Sequence, residues 1–270
     1  MSELEVLVAT TRQSNWDKHT RMNIQTDVVF ANQSDCHSYA EAIIDGNSSK
    51  MITTPYRGVG KNRNMALLHS TADYVLFADD DMVYVNNYKE GILQAFDELK
   101  GADVIIFSCN LTKNNTVFAT IQNKVKKRNI FNCFRYGTYI IAARRASVEK
   151  ANIWFTPLFG GGTRYGSGED SLFLKECLDH GLKIYTHNFL IGDCATDEST
   201  WFEGYNEKFF YDKGALCAAA FPSLKYLAAI KLAIRFKKSS ALSYYESVKL
   251  LFQGIKGFRG LVAYEERNKG

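Results

Sequence analysis

Three adjacent carboxylates, Asp79-Asp80-Asp81, follow the apolar run YVLFA directly. Without a cation such a cluster repels itself. Alternate residues of an extended segment point the same way, so Asp79 and Asp81 can turn their carboxylates to one side. Two hard oxygen donors of this kind suit Mg²⁺ or Mn²⁺, which keep water and substrate phosphate in their remaining positions. A solvated acidic turn also carries aspartates. Placement after a strand-like run and before apolar Met82 and Val83 speaks for the metal.

Two further segments could serve an anionic substrate. Arg57-Gly58-Val59-Gly60-Lys61-Asn62-Arg63-Asn64 opens a helical pattern. Glycines let backbone amides approach an anion, and a helix start favours negative charge. The spacing is neither a Walker loop nor a dinucleotide fingerprint, and an ordinary turn with a basic surface cluster fits it as well. Downstream, the glycine-rich stretch from Gly160 to Gly168 leads into Glu169-Asp170 and the segment SLFLKECLDHG. A carboxylate there suits a general base beneath a flexible loop. It equally suits a helix cap.

The elements that must position these groups alternate. Glu5–Ala9, Asp27–Ala31, Lys50–Thr54, Tyr74–Ala78 and Asp103–Ser108 read as strands buried on both faces. Helices are expected over Asn62–Ser70, over Tyr88–Lys100 with Asn87 and Glu90 as a capping pair and a stop at Gly101, and over Asp170–His180 before Gly181. Such alternation predicts an α/β fold with a mostly parallel sheet. A residue just past a strand's carboxyl end then lies in the ligand crevice.

Composition narrows the class. The chain has 270 residues, 46% of them hydrophobic, enough for a large core. Its six cysteines form no CxxC pair, which disfavours a zinc site and suits buried free thiols. No signal peptide or long apolar span is read, so a cytoplasmic location is expected. The net charge is +4, yet residues 223–262 hold eight Lys or Arg against one acid, leaving residues 1–222 slightly acidic. That shift predicts a domain over 1–222 and a basic amphipathic helical extension over 223–270. Leu227, Ile230 and Ile234 are expected on one face of its first helix, with Lys231, Arg235 and Lys238 on another. Tyr244, Tyr245, Val248, Leu251 and Phe252 are expected on a face of the second. The extension suits either packing, including a homodimer contact, or an anionic membrane surface. No nucleic-acid reading motif accompanies the basic residues.

The stretch RGVGKNRNMALLHSTADYVLFADDDM, followed by GSGEDSLFL and ESTWFEGYNEKFFYDKG, resembles the family 2 glycosyltransferases. The ordered set resembles the bacterial cell-surface polysaccharide type over roughly residues 3–220. The resemblance implies a GT-A, Rossmann-like nucleotide-diphospho-sugar transferase fold and inverting transfer from a nucleotide-sugar donor, with UDP as the nucleotide. A glycan or lipid-linked saccharide is the implied acceptor. It implies Mn²⁺ or Mg²⁺ on Asp79 and Asp81, with Asp80 beside them, and a catalytic base at Asp170 next to Glu169. Thr10, Thr11, Asn32, Lys61, Arg63 and Asn64 would border the donor. Asn32 stands where relatives often have an acid. Relatives often carry a late histidine near the metal; Asp193 and Asp197 are the candidates here.

Two rival readings come from the same residues. Asp79 and Asp81, with Ser108 and the acids Asp193 and Asp197, also fit the motifs of haloacid dehalogenase-like phosphatases. A non-catalytic sugar-nucleotide-binding protein is the other.

Overall fold

Val-, Ile- and Leu-rich runs cannot stay in water, and here they stack side by side in one sheet. The computed structural model describes residues 3–196 and 204–267. The chain runs β1 (Leu4–Thr11), α1 (Asp17–Arg21), β2 (Asp27–Gln33), β3 (Ser38–Ile44), β4 (Asn47–Thr54), α2 (Val59–His69) and β5 (Tyr74–Asp79). Then come β6 (Met82–Tyr84), α3 (Tyr88–Glu98), β7 (Val104–Lys113), β8 (Thr116–Ile121), β9 (Lys126–Lys127), β10 (Ile141–Arg144), α4 (Arg145–Lys150) and α5 (Glu169–Asp179). It closes with β11 (Ile184–Ala195), α6 (Glu207–Ala220), α7 (Lys225–Phe236) and α8 (Tyr244–Arg259).

The main sheet order is β3-β4-β2-β1-β5-β10-β7-β11-β6. β4, β2, β1 and β5 are mutually parallel, and β7 is parallel to β11. β10 runs antiparallel between β5 and β7, and β6 antiparallel to β11. Leu4 to Ala9 and Val28 to Ala31 are buried, the pattern of strands covered on both faces.

The five expected strands all form, each somewhat longer than its apolar run. β3, β6, β8, β9, β10 and β11 are not among the expected strands: β3 and β8 are largely exposed, and β6, β9 and β10 are four residues or fewer. α2 starts at Val59 rather than Asn62. Gly58 precedes it at φ +119°, and a Cβ on Gly60 would sit 2.6 Å from the Thr156 carbonyl. The expected capping pair at α3 does not form: the Asn87 side chain makes no cap bond, and the helix ends at Glu98. α5 ends as expected, with Gly181 at φ +80°.

α6, α7 and α8 form a helical layer of their own. Phe210 and Cys217 pack with Ala229, Ala233, Leu250, Leu251 and Ile255. The composition shift at residue 223 therefore falls between α6 and α7, inside this layer. α7 buries Ala229 and Ala233, whereas Leu227 and Ile234 are 58% and 61% exposed, so the expected inner face is corrected. In α8, Leu251 is buried as expected but Tyr244 and Tyr245 are exposed. α6 takes its neighbours at small residues: a Cβ on Gly214 would lie 2.0 Å from the Leu251 carbonyl oxygen, and one on Gly254 would lie 1.9 Å from that of Tyr211.

Candidate active site

Parallel pairing of β1 with β5 puts Ala9 opposite Asp79. Thr10, Thr11 and the acidic triplet thus leave the sheet together at its carboxyl edge. The Thr10 hydroxyl donates to Asp80 Oδ2 at 2.7 Å, and the Lys18 ammonium from α1 pairs with the same oxygen. Asp79 accepts from Arg63 Nη2 at 2.7 Å. Asp81 has no ion pair among the described residues; the Cys194 thiol lies 3.7 Å from its Oδ1. Burial, with Asp79 and Asp80 beside it, pushes the Asp81 carboxyl up to about 7.

Arg63 joins the two acidic motifs. α2 carries it, 3% exposed, beneath the cleft floor, with its guanidinium carbon 5.5 Å from the Phe155 ring centroid. Phe155 stacks on Phe173 of α5 and meets Phe77 of β5 edge-on, so an aromatic wedge fixes all three elements. From that seat Nη1 donates to Glu169 Oε1 and to Asp170 Oδ1, both at 3.0 Å. Burial alone would lower the Arg63 guanidinium, but Asp79, Asp170 and Glu169 hold it above its ordinary value.

Asp170 also accepts from the Thr138 hydroxyl. Burial and neighbouring Glu169 push its carboxyl up to about 6, against the pull of Arg63 and Thr138. It does not cap its helix, because α5 starts from Gly168 at φ +129° with no side-chain cap bond. A Cβ on Gly168 would lie 2.8 Å from Leu216 of α6, and one on Gly160 would lie 2.8 Å from the Glu169 carboxyl carbon. The glycines bring the loop down onto α6 and onto the acid pair.

These groups line one cleft of about 1230 Å³. Thr10, Thr11, Arg63, Asp79, Asp80, Asp81, Glu169 and Asp170 all face it. Three expected donor contacts do not. Asn32 is buried, accepting from the Gln13 amide and donating to the Gln13 carbonyl and Thr53. Asn64 spends its amide on both backbone groups of Phe155. Lys61 is exposed and outside the lining. Each is corrected for the same reason: side chains able to hold a ligand serve the fold, or solvent, instead. Asp193 accepts from Asn110 and lies outside the lining. Asp197 falls outside the described residues.

Lys18 and Lys213 line the cleft and Thr138 is buried behind Asp170, and no motif announced the roles they take. Lys18 pairs with Asp80, Thr138 bonds Asp170, and Lys213 of α6 reaches Ser167 Oγ at 3.0 Å. Only Lys213 left a trace in the sequence, within the segment EKFFYDKG.

The acidic edge fits a divalent cation. Among the described residues no cluster of three or more His, Cys, Asp or Glu could cage a metal. Mg²⁺ and Mn²⁺ need no such cage, since one or two carboxylates with substrate phosphates suffice. Asp81 is a desolvated carboxylate without a cationic partner among the described residues, and Asp79, paired with Arg63, stands two residues away.

Residues 27–152 match the family model described as Glycosyl transferase family 2. No curated protein matches the chain in sequence. S. aureus TarS 1-349 in complex with UDP-GlcNAc superposes with a TM-score of 0.60 at 14% identity, over 96% of this chain and 92% of that one. S. aureus TarS 1-349 in complex with UDP gives 0.55 at 16% identity, over 99% and 77%. The fold is accordingly α/β of the GT-A type, with a mostly parallel central sheet. The phosphatase expectation fails on geometry: Ser108 is buried, taking the Asn123 amide and donating to the His187 carbonyl, away from the cleft.

Proposed function

From a chain whose residues 27–152 carry the glycosyl transferase family 2 pattern, we infer an inverting glycosyltransferase. It moves a sugar from a nucleotide-diphosphate donor, a UDP-sugar, to a glycan or lipid-linked saccharide in cell-surface polysaccharide synthesis. One observation carries this: a buried arginine links Asp79 at the end of β5 to Glu169 and Asp170 at the start of α5, across one cleft. The donor's diphosphate and the attacking alcohol need that juxtaposition. That TarS takes UDP-GlcNAc and UDP on a similar fold supports the choice of donor.

Asp170 takes the proton from the acceptor hydroxyl as its oxygen attacks the anomeric carbon. The bond to the nucleoside diphosphate breaks on the opposite face, inverting the centre. Arg63 and Thr138 hold Asp170 in place, and Thr10 and Thr11 border the nucleoside. Mg²⁺ or Mn²⁺ held by Asp81 and Asp79 would supply charge compensation to the diphosphate. We assign catalysis to residues 1–222, supported by the helical layer.

The outward stripe of α7, with Leu224, Leu227, Lys231, Ile234, Arg235 and Lys238, suits an anionic bilayer and hence a lipid-linked acceptor. Among the described residues no helix is long and apolar enough to cross a membrane. Work at the inner face of the cell membrane follows from this reading. A homodimer through the same helices is the alternative use of that stripe.

Asp170→Asn tests the base. Turnover of nucleotide sugars should fall by about a thousand-fold or more while donor affinity stays within about three-fold. Near-normal turnover would sink the assignment. Donor binding by the unmodified chain, with neither transfer nor hydrolysis, would favour a sugar-nucleotide-binding protein.

A further inference from the structure

The base opens α5 directly after a loop, and that loop is seated on α6. Asp212 and Lys213 are consecutive in α6, so their side chains diverge by about 100° around the axis. Both nonetheless reach the same loop. The Gly166 amide donates to Asp212 Oδ2 at 2.9 Å, and Lys213 Nζ donates to Ser167 Oγ at 3.0 Å. Lys208 neutralises Asp212 from one turn back, at 3.0 Å. Lys213 has no such partner, since no carboxylate lies within salt-bridge distance of it among the described residues. It lines the cleft beside Glu169 and Asp170 instead.

We propose that Lys213 is a positioning residue for the catalytic base: its ammonium faces the Glu169–Asp170 pair and keeps Asp170 ionised and aimed while it pins Ser167. The proposal rests on the transferase reading above. The charges around Asp170 define what Lys213 adds. Glu169 lies on the same helix, and Arg63 approaches from α2. Asp79 at the end of β5 shares that arginine, and Thr138 and Tyr139 come from the turn before β10. Three carboxylates thus share one guanidinium, and Lys213 is the second cation within reach of the acid pair. Glu169 and Asp170 oppose the lowering of the lysine by burial, which is the same attraction seen from its other end.

The test is a pH–rate profile of Lys213→Met, Lys213→Arg and Ser167→Ala, each checked by thermal unfolding. Lys213→Met should lower kcat by about ten-fold or more with donor KM within about three-fold. Removing a cation raises a carboxyl pKa, so its acid limb should move to higher pH by about half to one unit. Lys213→Arg should restore most of kcat and the limb. Ser167→Ala should leave the limb in place. The proposal is overturned if Lys213→Met keeps the parent profile, or if Ser167→Ala moves the limb equally, since the lysine then only holds the loop. Should Asp170→Asn retain turnover, the transferase assignment of the base fails first and Lys213 loses its role with it. An inactive Asp170→Asn beside an unchanged Lys213→Met removes the lysine alone.

Discussion

Arg63 is a single buried cation in contact with Asp79, Glu169 and Asp170. Removing it leaves three carboxylates facing one another with little water. Breaking a buried ion cluster from one side costs about 3–5 kcal/mol. Arg63→Met should therefore lower stability by that order in denaturant unfolding, and turnover by about a hundred-fold or more. Arg63→Lys should rescue little, because an ammonium cannot span both motifs as the planar fork does. A lysine variant equal to the parent in both measurements would contradict this. Asp170 sets the pH behaviour. Its carboxyl sits at about 6, so kcat/KM should rise with pH through that value and level off above it. Stability runs the other way. A raised carboxyl pKa means that the folded form binds a proton the unfolded form has lost. This group's contribution is full below about pH 4 and is lost as pH rises to about 6. Unfolding free energies across that range should show the fall, and Asp170→Asn should lessen it, the remainder coming from Asp81, raised to about 7. Asp79 is suggested by its place after an apolar strand, whereas Arg63 and Asp170 stand out only through the ordered resemblance to family 2 glycosyltransferases, since each segment alone also fits a turn or a helix cap. Asn32 and Asn64 could not be sorted, since an amide serves a ligand and a backbone equally well. Lys18 and Thr138 sit on unremarkable segments, and only the fold brings Lys18 to the cleft and Thr138 to Asp170.

At the level of elements, the apolar runs of β1, β2, β4, β5 and the first half of β7 announced themselves because both their faces are buried. β3 did not, since its residues are largely exposed. β10 is four residues inserted between two long strands, and nothing local distinguishes it. The inner face of α7 was misjudged because its centre is held by the small Ala229 and Ala233, with Leu232 and Phe236 packed at the edge, while Leu227 and Ile234 turn outward. The tightest approach is between α6 and α8. Gly254→Val should force those helices apart and destabilise the chain by about 1–3 kcal/mol or more, read as a lowered Tm. A variant as stable as the parent would mean that the two backbones are not in contact.

The whole molecule is a sheet with its chemistry along one edge and a basic helical layer behind the base. Leu227→Asp together with Ile234→Asp tests what that layer meets. Both side chains are exposed, so solution turnover on a soluble acceptor should persist. Binding to anionic vesicles should fall by about ten-fold or more in flotation assays, and binding by the parent should weaken with salt. Unchanged vesicle binding would remove the membrane from the proposal. Deleting residues 223–270 is a poorer probe, because it uncovers Phe210 and Cys217 of α6.

The loop that ends in Asp170 rests on Asp212 and Lys213, and α6 in turn rests on α8. A ribosome making this chain releases the loop well before it releases the seat. Until α8 has emerged, Arg63 and Thr138 grip the acid but the loop before it has no seat, and products cut short of α8 should turn over poorly even when every motif residue is present.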